Sequence, residues 1–236
     1  MPIRIVVERG TKSKRAVAYA LDWPGWSRGA RTPEAAIATL ETYRQRYRPV
    51  AERAGRLDEF DASAAIEIVE DRIGTGSTDF WGISFTPSSL EHDPMDAADL
   101  ERKLGILQAC WSFFDDIGAT VSPQLRTGPR GGGRDRDTII RHVIRNESES
   151  FARKVGLRIP DYGAMAPGAL EPYRRDYLEA MRAFQRGEIP NRMRSWSLAF
   201  LVRHSAFHTM DHAWEMEDKD LSGEVVAPPP VERTGD

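Results

Sequence analysis

The hydrophobic pattern of this chain changes period once, across the polar, proline-punctuated stretch from Thr86-Pro87-Ser88-Ser89 to Asp93-Pro94. Before it, short β-branched runs of strand type dominate, and after it apolar residues recur every three or four positions. A chain that changes period in this way is expected to divide into a sheet-bearing part and a helical part. The domain boundary is therefore placed in this joint, with residues 1–86 as a small α/β domain and residues 95–220 as an all-α domain. Residues 221–236, which carry Pro228-Pro229-Pro230, are expected to form a flexible tail.

Ile3 to Val7 is β-branched and, beyond a turn at Gly10 to Lys14, Ala16 to Leu21 is apolar enough to pair with it as a hairpin. Thr32-Pro33-Glu34 has the form of a helix start, with Thr as cap and Pro at the first helical position, and the helix is expected to reach about Ala54. Ile66 to Ile73 and Phe80 to Phe85 read as two further strands, so the first domain is expected to run β-β-α-β-β.

In the second part, Leu100, Leu104, Leu107, Trp111, Phe114 and Ile117 form one apolar helix face, and Ile140, Ile144, Phe151 and Val155 form another that ends near Gly156. Pro172 to Phe184, closed by Gly187, and Trp196 to Met216 complete four amphipathic helices, which bury their stripes most simply as a four-helix bundle. The expected fold class is α+β.

Composition excludes several function classes. The chain has 236 residues, of which 29% are charged, yet its formal net charge is only −3, so it lacks the basic field that drives nucleic-acid binding. A single cysteine, Cys110, rules out an internal disulfide framework and a CxxC motif, and it is read as a core residue. No run approaches the roughly 18 to 20 apolar residues of a membrane span, and the N-terminal segment alternates where an export signal would be uniformly apolar. The chain is expected to be cytoplasmic, with neither membrane nor nucleic acid as its partner.

The chemistry-bearing residues concentrate in Arg203-His204-Ser205-Ala206-Phe207-His208-Thr209-Met210-Asp211-His212. On a helix, residues four apart share a face, so each of the overlapping pairs His204/His208 and His208/His212 can present two imidazoles to one ion at about 2.0–2.1 Å. A third ligand must come from another helix, where His142 is the only other histidine; its projection away from the centre of its own apolar stripe counts against a shared site, which a seam between two helices would accommodate but ideal geometry does not demand. Polar groups placed this close to an inward face cost free energy unless they are paired or ligated. Glu147 and Asp211 are the candidate outer partners of the ligating rings. The segment Gly128 to Gly133, flanked by Arg126, Arg130 and Arg134, has donors suited to a phosphate but matches no nucleotide fingerprint, and a flexible inter-helix loop is its plainer use.

Arg141-His142-Val143 with Glu147, and Ala206-Phe207-His208-Thr209-Met210-Asp211-His212-Ala213-Trp214-Glu215, resemble the DinB/YfiT-like family of metalloenzymes over roughly residues 96 to 218. The resemblance implies His142, His208 and His212 as ligands of a divalent metal ion, zinc or nickel, with His204 as the alternative because its spacing to His208 is the same. It also implies a small-molecule substrate such as a thiol, an S-transferase or isomerase activity, and, with common symmetry, a homodimer. Ala18-Tyr19-Ala20-Leu21-Asp22-Trp23-Pro24-Gly25-Trp26 and Gly29-Ala30-Arg31-Thr32-Pro33-Glu34-Ala35-Ala36 resemble the HicB antitoxin fold, but a helical part stands where a DNA-binding segment would follow. A second reading is therefore a non-enzymatic binding or regulatory protein whose first domain docks a partner, with Trp23 and Trp26 as anchors, although core packing is the plainer use of both rings.

Overall fold

The computed structural model describes residues 2–60, 63–128 and 133–223, and it is a mixed α and β structure. The expected tail and most of the glycine-rich segment lie outside these residues. Strands β1 (Ile3–Arg9), β2 (Ala16–Ala20), β3 (Ser27–Ala30) and β4 (Ile66–Ile73) form one sheet in the order β3-β2-β1-β4. β1 is antiparallel to β2 and parallel to β4, and the return to β4 passes through helices α1 (Pro33–Thr42) and α2 (Arg44–Arg53). Every residue of β2 is buried, which is why that strand reads as a continuous apolar run with no alternation.

The element order β-β-β-α-α-β corrects the expected β-β-α-β-β in three places. β3 was not expected, because Ser27-Arg28-Gly29-Ala30 has no apolar alternation; it forms by pairing with β2, and Gly29 lies so close to the Gly82 carbonyl that a Cβ would come within 2.2 Å of it. The helix expected over 33–54 is broken at Tyr43. The Thr42 hydroxyl donates to the Thr39 carbonyl at 2.7 Å, and the Tyr43 N–H turns to the Leu40 carbonyl. Phe80 to Phe85 is not a strand, because α3 (Gly76–Trp81) starts from a capping box on Thr75 and stops at Gly82, which takes φ +69°. Asp79 pins α3 to the β1–β2 turn by accepting from the Lys12 and Lys14 N–H groups at 2.8 Å each.

The remaining helices are α4 (Ala97–Thr120), α5 (Arg136–Asn146), α6 (Leu170–Gln185) and α7 (Leu198–Asp218). Side-chain caps start three of them, Asp96 on α4, Asp135 on α5 and Ser197 on α7. α5 runs into a π turn at Glu147–Phe151 and a 3-10 turn at Ala152–Val155 before Gly156 ends the coil at φ +79°. α4 packs along α7, α5 also lies against α7, and α2 packs on α4. One connected set of buried side chains therefore runs from Ile5, Ala18 and Trp26 to Leu104, Tyr177 and Met210.

The joint at residues 86–94 is packed into this core. Arg72 bonds the Thr86 and Pro87 carbonyls, Ser88 donates to Glu91, and buried Glu91 pairs with buried Arg203 of α7 at 2.6 Å. Trp23 and Trp26 are interior, packed with Tyr47 and Phe60, so neither presents a ring to a partner. No helix among the described residues is long and apolar enough to cross a membrane.

Candidate metal centre

α7 is buried on nearly all sides, from Leu198 through Met216, so each polar side chain along it needs a partner. Arg203 has Glu91, Ser205 meets the Tyr177 hydroxyl at 3.0 Å, and the Thr209 hydroxyl donates to the Ser205 carbonyl. Asp211 accepts from Arg28 of β3 at 2.8 Å, and that guanidinium stacks 3.7 Å from the Tyr43 ring centre. His208 and His212 are the polar groups of this helix that meet a further imidazole.

His142 on α5 completes the group at the seam between α5 and α7. One nitrogen from each of His142, His208 and His212 lies within 4.8 Å of the others, which is close enough for the three to hold a metal ion. The His142 and His208 Nε2 atoms are 3.2 Å apart. Two nitrogens on adjacent corners of a tetrahedron with bonds of about 2.05 Å stand about 3.3 Å apart, so this pair already has the spacing of two ligands. The three rings stand 4.9 to 5.1 Å from one another, centre to centre.

The protonation states suit ligation. Burial, followed by the charges of His212 and Arg134, pushes His142 down to about 4, and burial pushes His208 well below its ordinary value. Both rings are therefore neutral at neutral pH and carry a free lone pair. His212 Nδ1 lies 2.7 Å from Glu215 Oε2. The hydrogen bond to His212 holds the Glu215 carboxyl down at about 2, so it stays ionised and accepts from Nδ1, which leaves Nε2 as the nitrogen open to an ion. Lys219 Nζ holds the other Glu215 oxygen at 2.5 Å. The Asn146 amide lies 3.2 Å from His142 Nε2 and 3.3 Å from Nδ1.

The outer partners expected from the sequence are placed elsewhere. Asp211 is engaged with Arg28, as described. Glu147 lies in the π turn with its carboxylate accepting from Trp111 Nε1 at 2.7 Å, and its burial raises the carboxyl to about 7. Glu215 and Asn146 take their place, and the available signal was local: each lies three or four residues beyond a candidate ligand on the same helix face. His204, the alternative ligand, is not in the group. Its ring packs against Phe85, Phe151, Trp196 and Phe200, and Nδ1 has no hydrogen-bond partner among the described residues. Burial drives its pKa down to about 3, so it sits neutral in an aromatic surround. Cys110 is fully buried, and burial pushes its thiol far above the ordinary range, so it offers no thiolate.

No protein family, curated protein or solved structure matches this chain. The functional reading therefore rests on the geometry of three imidazoles from two helices, one of them oriented by a carboxylate.

Proposed function

We propose that α4 to α7 act as a four-helix bundle of the DinB/YfiT-like kind, and that His142, His208 and His212 hold one first-row divalent ion, zinc or nickel, in a metal-dependent enzyme. The observation that carries this reading is the convergence of the three ring nitrogens within 4.8 Å. Glu215 on His212 and Asn146 beside His142 support it, because a ligating ring needs its second nitrogen or its edge held. Three imidazole ligands leave positions open, and an ion bound there would supply Lewis acidity toward a thiol or a water molecule. Within the chain, Glu215 orients His212 and the Phe151 ring packs edge-on against His208. Transfer or isomerisation of a substrate through a low-molecular-weight thiol is the reaction class this arrangement fits. The reading of the chain as a non-enzymatic docking protein has lost its anchors, since Trp23 and Trp26 are buried.

Elemental analysis of protein purified without a histidine tag tests the site. One ion per chain is expected, and His142→Ala, His208→Ala and His212→Ala should each lower occupancy and remove metal-dependent thermal stabilisation. His204→Phe should keep both. A folded protein that takes up no metal when metal is supplied overturns the site, and a loaded protein inert towards a broad panel of thiols and electrophiles overturns the enzyme reading alone.

A further inference from the structure

Beside the candidate metal centre lies an open cleft of about 600 Å³ whose wall includes His142 itself, together with Asn146, Arg134, Arg141, Arg145 and Tyr162. Three guanidiniums and one carboxylate, Glu149, face it. That carboxylate is already occupied: Arg145 donates to both its oxygens at 3.1 and 3.2 Å, and the Tyr162 N–H donates to Oε1 at 3.1 Å. Asp135 lies in the field of Arg141, but no neighbouring acid forms an ion pair with either of the other two arginines among the described residues. Asp135 accepts from the Thr138 N–H as the α5 cap, and Asp137 pairs with Arg136.

Arg141 meets the Thr138 hydroxyl at 2.9 Å, and Arg134 makes no hydrogen bond or ion pair among the described residues. Two exposed guanidiniums therefore face the cleft without a carboxylate. Planar guanidiniums are the side chains best matched to carboxylate and phosphate oxygens. Tyr162 closes one side with its ring 4.4 Å from the Arg145 guanidinium, and it does so at φ +60°, a left-handed conformation unusual for a bulky residue.

We propose that this cleft binds the carboxylate or phosphate end of a small anionic substrate, with Arg134 and Arg141 as the recognising groups, and holds that substrate against His142. The inference names the substrate class of the metal site and rests on that reading. A substrate fixed by its anionic end has its reacting portion directed along the cleft wall that His142 forms, so binding and chemistry share one histidine.

The test uses the full chain, loaded with zinc, and titrates succinate, phenyl phosphate and the uncharged succinamide by calorimetry. One or both anions should bind, more weakly as salt rises, and succinamide should not. The tighter of the two anions identifies the end group. Arg134→Ala and Arg141→Ala should each weaken the anion roughly tenfold, and Arg141→Gln should do the same; both side chains removed are exposed, and an unchanged thermal transition verifies the fold. Equal binding of succinamide and succinate, binding of neither anion, or anion binding indifferent to both arginines overturns the proposal, the last because it places the anion on the ion itself. Repeating the titration with metal-free His208→Ala separates the two readings. Arginine-dependent anion binding that persists in a protein unable to take up metal in its wild-type form would sink the metal site and leave the anion site standing, whereas full metal occupancy with no anion binding would do the reverse.

Discussion

Glu215 is the side chain that distinguishes a ligating set from a mere cluster of histidines. Its carboxylate fixes His212 with Nδ1 as donor and is itself held by Lys219, so its position does not depend on the ion. Glu215→Ala should weaken metal binding about 10- to 100-fold, the usual effect of losing such a partner, with Glu215→Gln milder because an amide oxygen can still accept from Nδ1. Competition against a chromophoric chelator measures this, and affinity equal to wild type in the alanine variant would show that the carboxylate does not orient the ring. The candidate ligands were legible in the sequence as residue types at a helical spacing. The spacing of Glu215 and Asn146 from the ligands is legible too, but spacing alone does not separate a polar side chain that touches an imidazole from one that faces water.

At the scale of elements, α7 decides most of what the molecule is, and the Arg203–Glu91 pair ties it to the joint between sheet and helices. Arg203 also lies 3.8 Å from the Tyr19 ring centre on β2, so a single guanidinium connects helix, joint and sheet. Both charges are buried, and Arg203→Met would strand the carboxylate; a loss of about 3–5 kcal/mol is expected in chemical denaturation. Adding Glu91→Gln should restore much of it, and a double variant no better than the single would show that packing of the guanidinium is what matters. The pH dependence has a definite sign. Burial raises the Glu91 carboxyl, but the Arg203 charge and the hydrogen bonds from Arg203 and Ser88 together outweigh it and hold the carboxyl below its ordinary value, so its contribution is present above the ordinary carboxylate range and is lost as pH falls through the lowered value. Wild-type protein should therefore lose stability in acid more steeply than the double variant. Periodicity locates α4 and α7, whose apolar faces are long, but it reads Phe80 to Phe85, which begins inside α3, as a strand and gives no sign of β3, because short elements are set by a cap, a glycine or a pairing partner and carry no pattern of their own.

At the scale of the whole molecule, the sheet layer and the helices share one core. The Tyr47 hydroxyl and the Cys110 thiol both meet the Pro24 carbonyl, and a Cβ on Gly25 would come within 2.9 Å of Met210 on α7, so the β2–β3 turn is pressed directly onto α4 and α7. Calorimetry is accordingly expected to show a single unfolding transition whose van't Hoff and calorimetric enthalpies agree. Two separated transitions would mean that the interface between the layers is weaker than its packing implies. Light scattering on the same samples tests the homodimer implied by the family resemblance, which a monomer at every concentration would remove.

The change of period near residue 90, the long helices, the low net charge and the histidines at metal-ligand spacing on one helix are all readable from the order of residues. These are local properties: the direction in which an apolar face points and the distance between two residues on one helix follow from backbone geometry alone. Which of the two overlapping H-x3-H pairs stands beside His142 follows from the packing of α5 on α7, as does the enclosure of His204 by aromatic rings while His212 leans on Glu215. The two pairs are equivalent in spacing, and only long-range packing, the seating of α5 against the later turns of α7, makes them differ.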